Sequence, residues 1–307
     1  MEKINNGVVF SNDIDLILKG KNALKFNYID NGLIIPDKNF IDSLRDDFKI
    51  ESKRAYSTDI VIVSEEEMIY YMNKYIDIYR GYLPIVSMDE IYIDCDNKNV
   101  FSLDSTRMSG QEELVSRLNP FDKEDVINQV RRLTKLFKNF GIDEIILADD
   151  VVFSGSVITQ VSNLFASLGI KVVGVVAAIS TDDAYKKFNK EMKYGLQCGY
   201  LMSEDVLDEI CERDFYFGIA QSGMFKCIDG LFYKAPYFLP FGDPVARASV
   251  SEDRALMFSM GCINRSLMLW EEIEKNSKKT ILMSDLPEMV LNTNKNDEVV
   301  KVLRRVK

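Results

Sequence analysis

The chain of 307 residues contains no histidine. A chain without histidine cannot build a Ser-His-Asp or Cys-His catalytic centre by itself, and it offers no imidazole to a metal ion. Any metal that it binds alone is therefore expected to be a hard cation held by oxygen atoms. Mg²⁺ is the natural candidate for such a site.

Cysteines are few, and their spacing excludes the common metal and redox motifs. They are odd in number and form no CxxC pair. No run approaches the roughly 18 apolar residues of a membrane-spanning helix, and the N-terminus has no signal-peptide pattern. We therefore expect reduced thiols, no membrane partner and a cytoplasmic location. The five cysteines are Cys95, Cys198, Cys211, Cys227 and Cys262.

Acidic residues outnumber basic ones, 48 against 38, so the formal net charge is −10. This balance argues against nonspecific nucleic-acid binding over the whole surface, and no nucleic-acid partner is evident. Hydrophobic residues make up 47% of the chain and charged residues 28%. That composition is typical of a globular protein with a substantial core.

The most informative segment is residues 144–157, with the sequence EIILADDVVFSGSV. The apolar residues 145–148 predict a buried strand, and residues 157–168 predict a helix. A second apolar run at residues 171–179 predicts another strand. Because a strand, a helix and a strand at this spacing form a βαβ unit, the two strands should be parallel and buried on both faces.

The loop between the first strand and the helix offers two kinds of polar group. N–H groups at the start of a helix have no partner within it, so Ser154, Gly155 and Ser156 suit a phosphate. Two carboxylates, Asp149 and Asp150, precede the loop. They suit a neighbouring diol or a hard cation. A phosphate beside a diol describes a ribose 5-phosphate.

These residues resemble the phosphoribosyl-pyrophosphate motif of type I phosphoribosyltransferases. That motif is a hydrophobic strand, two acidic residues, two hydrophobic residues and a small loop rich in Thr, Ser and Gly. The resemblance implies that Asp149 and Asp150 hold the ribose 2′- and 3′-hydroxyls. The alternative is an ordinary βα loop with two exposed aspartates. The residues implied around the 5-phosphate are Phe153, Ser154, Gly155, Ser156 and Val157.

Two positions of this loop depart from the family. Phe153 stands where a small residue is usual, or in purine enzymes an Asp that handles a base proton, and Val157 replaces a hydroxyl residue. Purine salvage through an Asp proton acceptor is therefore doubtful. Phosphate binding through backbone amides is compatible with both changes.

A second segment, residues 100–110, is a short strand followed by a polar loop. The family has a pyrophosphate-binding loop after its first core strand. The resemblance assigns that role to Ser105, Thr106 and Arg107, since hydroxyl and guanidinium groups donate to phosphate oxygens. It also counts Arg107 with Asp149 and Asp150 as catalytic. A surface turn with a solvated arginine is the alternative.

A third segment, residues 236–247, resembles the late strand of the family, which ends in Gly and Asp near the base and the metal–pyrophosphate. The resemblance implies that Phe238 or Phe241 stacks on a base. It also implies that Asp243 touches a Mg²⁺ shell and that Arg247 touches the pyrophosphate. The alternative is that Gly242-Asp243-Pro244 is simply a turn.

Together these observations predict an α/β protein with a mostly parallel sheet and flanking helices, like the type I phosphoribosyltransferases, with additions at both termini. Residues 1–80 would form an N-terminal α/β segment packed on the core, residues 81–250 the core, and residues 251–307 a C-terminal helical segment. The terminal helices are candidate contacts for a second copy or a protein partner.

The resemblance implies a glycosyltransferase that binds phosphoribosyl pyrophosphate or a nucleotide and acts at ribose C1 with Mg²⁺. Two alternatives stay open. One is a non-catalytic, nucleotide-binding regulatory module, and the other is a nucleotide-targeting effector of a bacterial defence system.

Overall fold

The computed structural model describes residues 1–20, 27–93, 99–107, 114–116 and 125–307. Strands and helices alternate along most of this chain. In chain order they are β1 (Glu2–Ile4), β2 (Gly7–Ser11), α1 (Ile14–Leu18), α2 (Lys38–Tyr56), β3 (Ile60–Val63), α3 (Glu65–Tyr79), β4 (Ile85–Ser87), β5 (Val100–Ser102), β6 (Thr106–Arg107), β7 (Leu114–Val115), α4 (Asp125–Asn139), β8 (Glu144–Val152), α5 (Ser156–Ser167), β9 (Lys171–Thr181), α6 (Asp182–Glu191), β10 (Gly195–Met202), β11 (Val206–Cys211), β12 (Met224–Ile228), β13 (Leu231–Ala235), α7 (Pro244–Ala248), α8 (Glu252–Ser277) and α9 (Val299–Val306).

The chain forms two compact units, and each is built from two separate stretches. The first unit contains residues 1–6 and 64–206, and the second contains residues 7–63 and 207–307. These boundaries do not coincide with the predicted ones at residues 80 and 250. The physical reason is that β1 pairs with β10, whereas the next strand, β2, belongs to a different sheet with β3 and β11.

The first unit holds a six-stranded sheet in the order β1-β10-β9-β8-β4-β5, and every neighbouring pair is parallel. The predicted α/β class, with a mostly parallel sheet flanked by helices, is therefore confirmed. Helix α3 packs against β8, β9 and β10. Side chains of α4, α5 and α6 share a core cluster with β8, and residues of this cluster include Phe137, Phe165, Phe188, Ile145 and Leu147.

The order of connection reverses between β4 and β8. From β4 the chain moves outward to β5, and it then returns across β4 to β8 before continuing outward to β9 and β10. Numbered along the chain, these five strands lie in the order 2-1-3-4-5, which is a common doubly wound arrangement. Ligands in such sheets bind beyond the carboxyl ends of the strands at the reversal.

The second unit has a three-stranded sheet in the order β11-β2-β3 and a hairpin of β12 and β13. Helices α2 and α8 pack against each other in this unit. Aromatic rings fill its core: Phe48 lies 5.2 Å from Phe215, and Phe215 lies 5.2 Å from Phe258, measured between ring centroids. None of the helices that the structure describes is both long and apolar enough to cross a membrane.

The cysteines that the structure describes are Cys198, Cys211, Cys227 and Cys262, and no disulfide joins any two of them, in line with the prediction of reduced thiols. Three of them are buried, and Cys227 is exposed. Burial raises the pKa of the Cys198 and Cys262 thiols to about 12. Since the thiolate is the reactive form, these two thiols are unreactive at neutral pH. Cys95 lies outside the described residues.

A buried network of charged groups holds the start of α1 against the segment after β11. The Asp13 carboxylate pairs with the Arg213 guanidinium and accepts the Arg213 N–H at 3.0 Å. Glu212, which is also buried, accepts the Asp13 N–H at 3.2 Å and pairs with Arg45 at 3.0 Å. Burial raises the pKa of the Asp13 carboxyl to about 7, although Arg213 acts in the opposite direction.

This pKa predicts how stability depends on pH. Between about pH 4, the ordinary value, and pH 7 the folded protein keeps the Asp13 proton that the unfolded chain releases. The contribution of this group to stability is therefore complete below pH 4 and is lost as the pH rises through 7, with a slope of at most about 1.4 kcal/mol per pH unit. We expect Asp13→Asn to flatten this part of the profile, measured as melting temperature against pH.

The exposed Asp47 of α2 provides the matched control. Asp47→Asn should keep the wild-type profile. A profile of Asp13→Asn that is parallel to wild type from pH 4 to 7 would contradict the assignment.

Candidate functional site

The candidate site begins where β8 extends past its neighbour β4. The last paired residues are Ser87 and Ala148, and the Met88 N–H donates to the Ala148 carbonyl at 2.9 Å. Strand β8 continues to Val152, whereas the sequence predicted its end at residue 148. Beyond Ala148, β8 is still paired with β9, but β4 no longer runs beside it. The sheet therefore opens at this edge, at the reversal of strand order.

Asp149 and Asp150 lie in this extended part of β8, and both are half-buried. An oxygen of Asp150 accepts the Val151 N–H at 2.8 Å. The two aspartates border a cavity of about 180 Å³ that also includes Met88 of the β4 end. The other lining residues are Ser105, Thr106, Val151, Val152, Phe153, Ser154, Gly155, Ser156, Val157 and Ile158. All the predicted phosphate-binding residues thus border one cavity with both carboxylates.

The loop after β8 presents the N-terminus of α5 to this cavity. Gly155 is the N-cap residue, and no side chain caps the helix. Ser154 Oγ accepts the Ser156 N–H at 3.3 Å and donates to Ser156 Oγ at 3.1 Å. The Ser156 amide is thus engaged by Ser154, whereas no side-chain cap takes the next first-turn amides, those of Val157 and Ile158. With the partial positive charge of the helix N-terminus, these two amides suit an anion.

Gly155 is required by packing as well as by backbone conformation. Its φ is +68°, and an added Cβ would lie 2.6 Å from Cε2 of Phe188. Phe188 belongs to α6 and is buried in the core of the first unit. The sequence predicted that a side chain at this position would stand between the amides and a phosphate. The structure shows that it would meet the Phe188 ring.

We therefore expect Gly155→Ala to destabilise the first unit by more than its backbone conformation alone explains. Gly141→Ala is the matched control, because Gly141 has a φ of +70° and nothing within 4 Å of an added Cβ. The control should cost about 1–2 kcal/mol for the left-handed conformation. Gly155→Ala should cost about 1–3 kcal/mol more for overpacking. Denaturant unfolding measures both, and equal losses would contradict the packing role.

Ser105 and Thr106 reach the same cavity from the segment after β5. Ser105 is 3% exposed, and its hydroxyl has no hydrogen-bond partner among the described residues. Leaving a buried hydroxyl without a partner costs free energy that a ligand acceptor would recover. Arg107 pairs through its backbone with Leu114, but its side chain lies outside the described residues.

The sequence missed the loop that follows β4. Strand β4 is the first core strand of the sheet. The sequence predicted β5 in that place, but β5 is the edge strand beside β4. The loop after β4 is folded around the buried Asp89 carboxylate, which accepts N–H groups of Ile91 at 3.0 Å, Tyr92 at 2.9 Å and Ile93 at 3.1 Å. The one signal in the sequence that could have indicated this strand and its loop is the apolar pair Ile85-Val86 shortly before Asp89.

A second cavity, of about 470 Å³, lies at the carboxyl ends of β9 and β10. It shares Phe153 and Ser154 with the first cavity. The Phe153 side chain is 45% exposed, and its backbone carbonyl accepts the Thr181 hydroxyl at 2.6 Å. The rest of the lining is Thr181, Asp182, Asp183, Ala184, Lys187, Met202, Ser203, Glu204 and Val206.

The residues predicted for the base and metal side lie in the second unit. Phe238 and Phe241 are buried there with ring centroids 5.8 Å apart, so core packing accounts for both rings. Asp243 Oδ1 accepts the Val245 N–H at 3.0 Å and the Ala246 N–H at 3.1 Å as the N-cap of α7. Arg247 lies in α7. Their roles toward a base, Mg²⁺ and pyrophosphate stay predictions.

The described part of the chain holds no group of three or more acidic or cysteine side chains close enough to enclose a metal ion. Comparisons of the chain with protein-family models, with curated proteins and with solved structures find no significant match.

Proposed function

We propose that the first unit is a type I phosphoribosyltransferase-like domain that binds phosphoribosyl pyrophosphate or a nucleotide and acts at ribose C1. One observation carries the proposal. Asp149, Asp150 and the uncapped N-terminus of α5 border a single cavity at the reversal of strand order. Doubly wound sheets bind nucleotides at this point.

The polar groups of the cavity match the parts of a ribose 5-phosphate. The amides at the start of α5 and the Ser154 hydroxyl donate to the phosphate. The carboxylates of Asp149 and Asp150 accept hydrogen bonds from the ribose hydroxyls. The Ser105 hydroxyl, which lacks a partner among the described residues, donates to a further oxygen of the ligand, such as one of the pyrophosphate.

In the proposed transfer, the bond between ribose C1 and a pyrophosphate oxygen breaks, and its electron pair leaves with the pyrophosphate. C1 bonds to a nitrogen of the acceptor, and the proton of that nitrogen passes to solvent. Positive charge develops at C1 and the ring oxygen as the bond breaks. Asp149 and Asp150 lie beside the ribose in this arrangement, so their negative charge stabilises the transition state.

The two carboxylates of the cavity suit Mg²⁺ bound in the way that is usual with phosphate substrates. Proteins commonly hold this ion through one or two carboxylates, while substrate phosphates and water supply the other ligands. Asp149 and Asp150 would be the protein ligands here. When bound, Mg²⁺ would neutralise charge on the departing pyrophosphate.

We place the acceptor in the second cavity, because it adjoins the first at Phe153 and Ser154. The half-exposed Phe153 ring is a surface on which a planar base can stack. Asp182, Asp183 and Glu204 provide carboxylates for its N–H groups. We favour this cavity over Phe238 and Phe241, since those rings fill the core of the second unit.

A non-catalytic nucleotide-binding module is the second candidate function. It is favoured by Phe153 and Val157, which line the cavity where the family has smaller or hydroxyl residues. Both functions require ligand binding, and only the enzyme requires turnover. The nucleotide-targeting effector is a variant of the first function.

The binding test is calorimetric titration of phosphoribosyl pyrophosphate with Mg²⁺ into the full chain. We expect Asp149→Asn combined with Asp150→Asn to weaken binding by about 1.5–3 kcal/mol for each charged hydrogen bond lost. The exposed Asp143 precedes the same strand, so Asp143→Asn is the control that removes one carboxylate charge outside the cavity. Unchanged affinity in the folded double variant would refute the ribose assignment.

A paired titration of ribose 5-phosphate and ribose tests the phosphate site. The wild type should prefer the phosphorylated sugar, and Ser154→Ala should reduce that preference by about one hydrogen bond to a charged group, roughly 1.5–3 kcal/mol. Absence of any preference in the wild type would leave only a resemblance of fold. Analysis of pyrophosphate and free base after incubation then separates the enzyme, which forms products, from the module, which binds without turnover.

A further inference from the structure

Lys187 of α6 is the only basic residue among the described residues that line the two cavities. Carboxylates outnumber it in the same linings. A ligand that carries a phosphate therefore meets an excess of negative charge, and its binding depends on the few positive groups that lie near the phosphate. The carboxylates are those of Asp149 and Asp150 in the first cavity and of Asp182, Asp183 and Glu204 in the second.

The Lys187 side chain is half-buried, and its ammonium is held against the first turns of α5. Lys187 Nζ donates to Thr159 Oγ1 at 2.9 Å, and Thr159 Oγ1 donates in turn to the Gly155 carbonyl at 2.9 Å. Thr159 lies four residues after Gly155, which is about 6 Å along the helix at 1.5 Å per residue. The positive charge is therefore fixed about one helical turn behind the N-terminus of α5.

This chain of hydrogen bonds ends at a peptide group that belongs to the phosphate site. Helical carbonyls point toward the C-terminus of the helix and the N–H groups toward its N-terminus. The peptide group between Gly155 and Ser156 thus has its carbonyl in the chain and its N–H on the side of the cavity. Because hydrogen bonds in a chain polarise one another, Lys187 adds to the partial positive charge at the start of α5 through this peptide group as well as directly.

The ammonium of Lys187 forms no ion pair with a carboxylate in the part of the chain that the structure describes. The neighbouring Lys186 pairs instead with Asp182 of the same helix. Lys187 Nζ lies 5.1 Å from the centroid of the Phe188 ring, which is the ring that an added Cβ at Gly155 would meet. Because water screens a half-buried charge less than an exposed one, the charge of Lys187 acts on groups bound at the start of α5.

We propose that Lys187 is a specificity-determining residue, which acts through Thr159 and the first turn of α5 to favour phosphorylated ligands over unphosphorylated ones. The physical reason is that a positive charge attracts a phosphate dianion and leaves a neutral sugar unaffected. This inference rests on the proposed function, since it concerns the site assigned there to the 5-phosphate.

The test extends the paired titration of ribose 5-phosphate and ribose into the full chain to variants of α6. Lys187→Met removes the charge and keeps an apolar side chain, so it should lower the affinity for ribose 5-phosphate by about ten-fold and leave that for ribose unchanged. Lys187→Arg keeps the charge and should retain most of the preference. Lys190 is exposed on the same helix and lines neither cavity, so the matched control Lys190→Met should bind both sugars as the wild type does.

A variant of Thr159 separates the position of the charge from the charge itself. Thr159→Val keeps the ammonium but removes the hydroxyl that holds it, so the preference should fall by about three-fold, less than in Lys187→Met. Because Thr159 acts through Lys187, the double variant should lose no more than Lys187→Met alone. Additive losses in the double variant would overturn the assignment of Thr159 as the positioning residue.

The outcomes separate this inference from the proposed function. A wild type that binds ribose 5-phosphate no better than ribose would refute the phosphate site, and the proposed function would fail with it. If the wild type prefers the phosphorylated sugar and Lys187→Met, folded by circular dichroism, keeps that preference, the function stands and the role of Lys187 is overturned. Equal losses in Lys187→Arg and Lys187→Met would also overturn it, because packing and not charge would then be the cause.

Discussion

The arrangement of the site depends on one constraint, which is that the neighbouring strands β4 and β8 end at different points along the sheet. Strand β4 stops at Ser87, while β8 continues to Val152 on the support of β9 alone. The backbone of Asp149 and Asp150 therefore runs along an open edge instead of inside the sheet. The turn into α5 follows at once, so the carboxylates and the helix N-terminus border the same cavity.

The sequence predicted the centre of the first unit well, because the sequence patterns of this part of the fold are local. The apolar runs of β8 and β9 and the intervening helix are contiguous, and a βαβ unit has few alternative arrangements. The end of β8 was predicted too early, since two aspartates read as a loop. In the structure the pairing of Val151 with Ile179 and of Val152 with Ser180 keeps them in the strand.

Other features could not be predicted, because they depend on residues far apart in sequence. The role of Gly155 depends on Phe188, 33 residues later, since 188 − 155 = 33. Strand β4 is only three residues long, and its place as the first core strand follows from its pairing with β8. The sequence around Phe238 and Phe241 looks the same for rings that stack on a base and for rings that fill a core, so it could not distinguish the two roles.

The second unit is assembled from stretches that the first unit separates, and this has a consequence during synthesis. The hydroxyl of Ser11, the last residue of β2, donates to the carboxylate of Glu209 in the partner strand β11, 198 residues later. Residues 64–206 are synthesised as one continuous stretch before residue 207 is added. At about 5–20 residues per second, the 144 steps from residue 63 to residue 207 take roughly 7–30 seconds. For that time β2 and β3 have no β11 beside them, and the apolar side of α2 stays uncovered for longer still, because α8 begins only at Glu252. The pace of translation through the first unit therefore sets a minimum time for which this apolar surface is exposed.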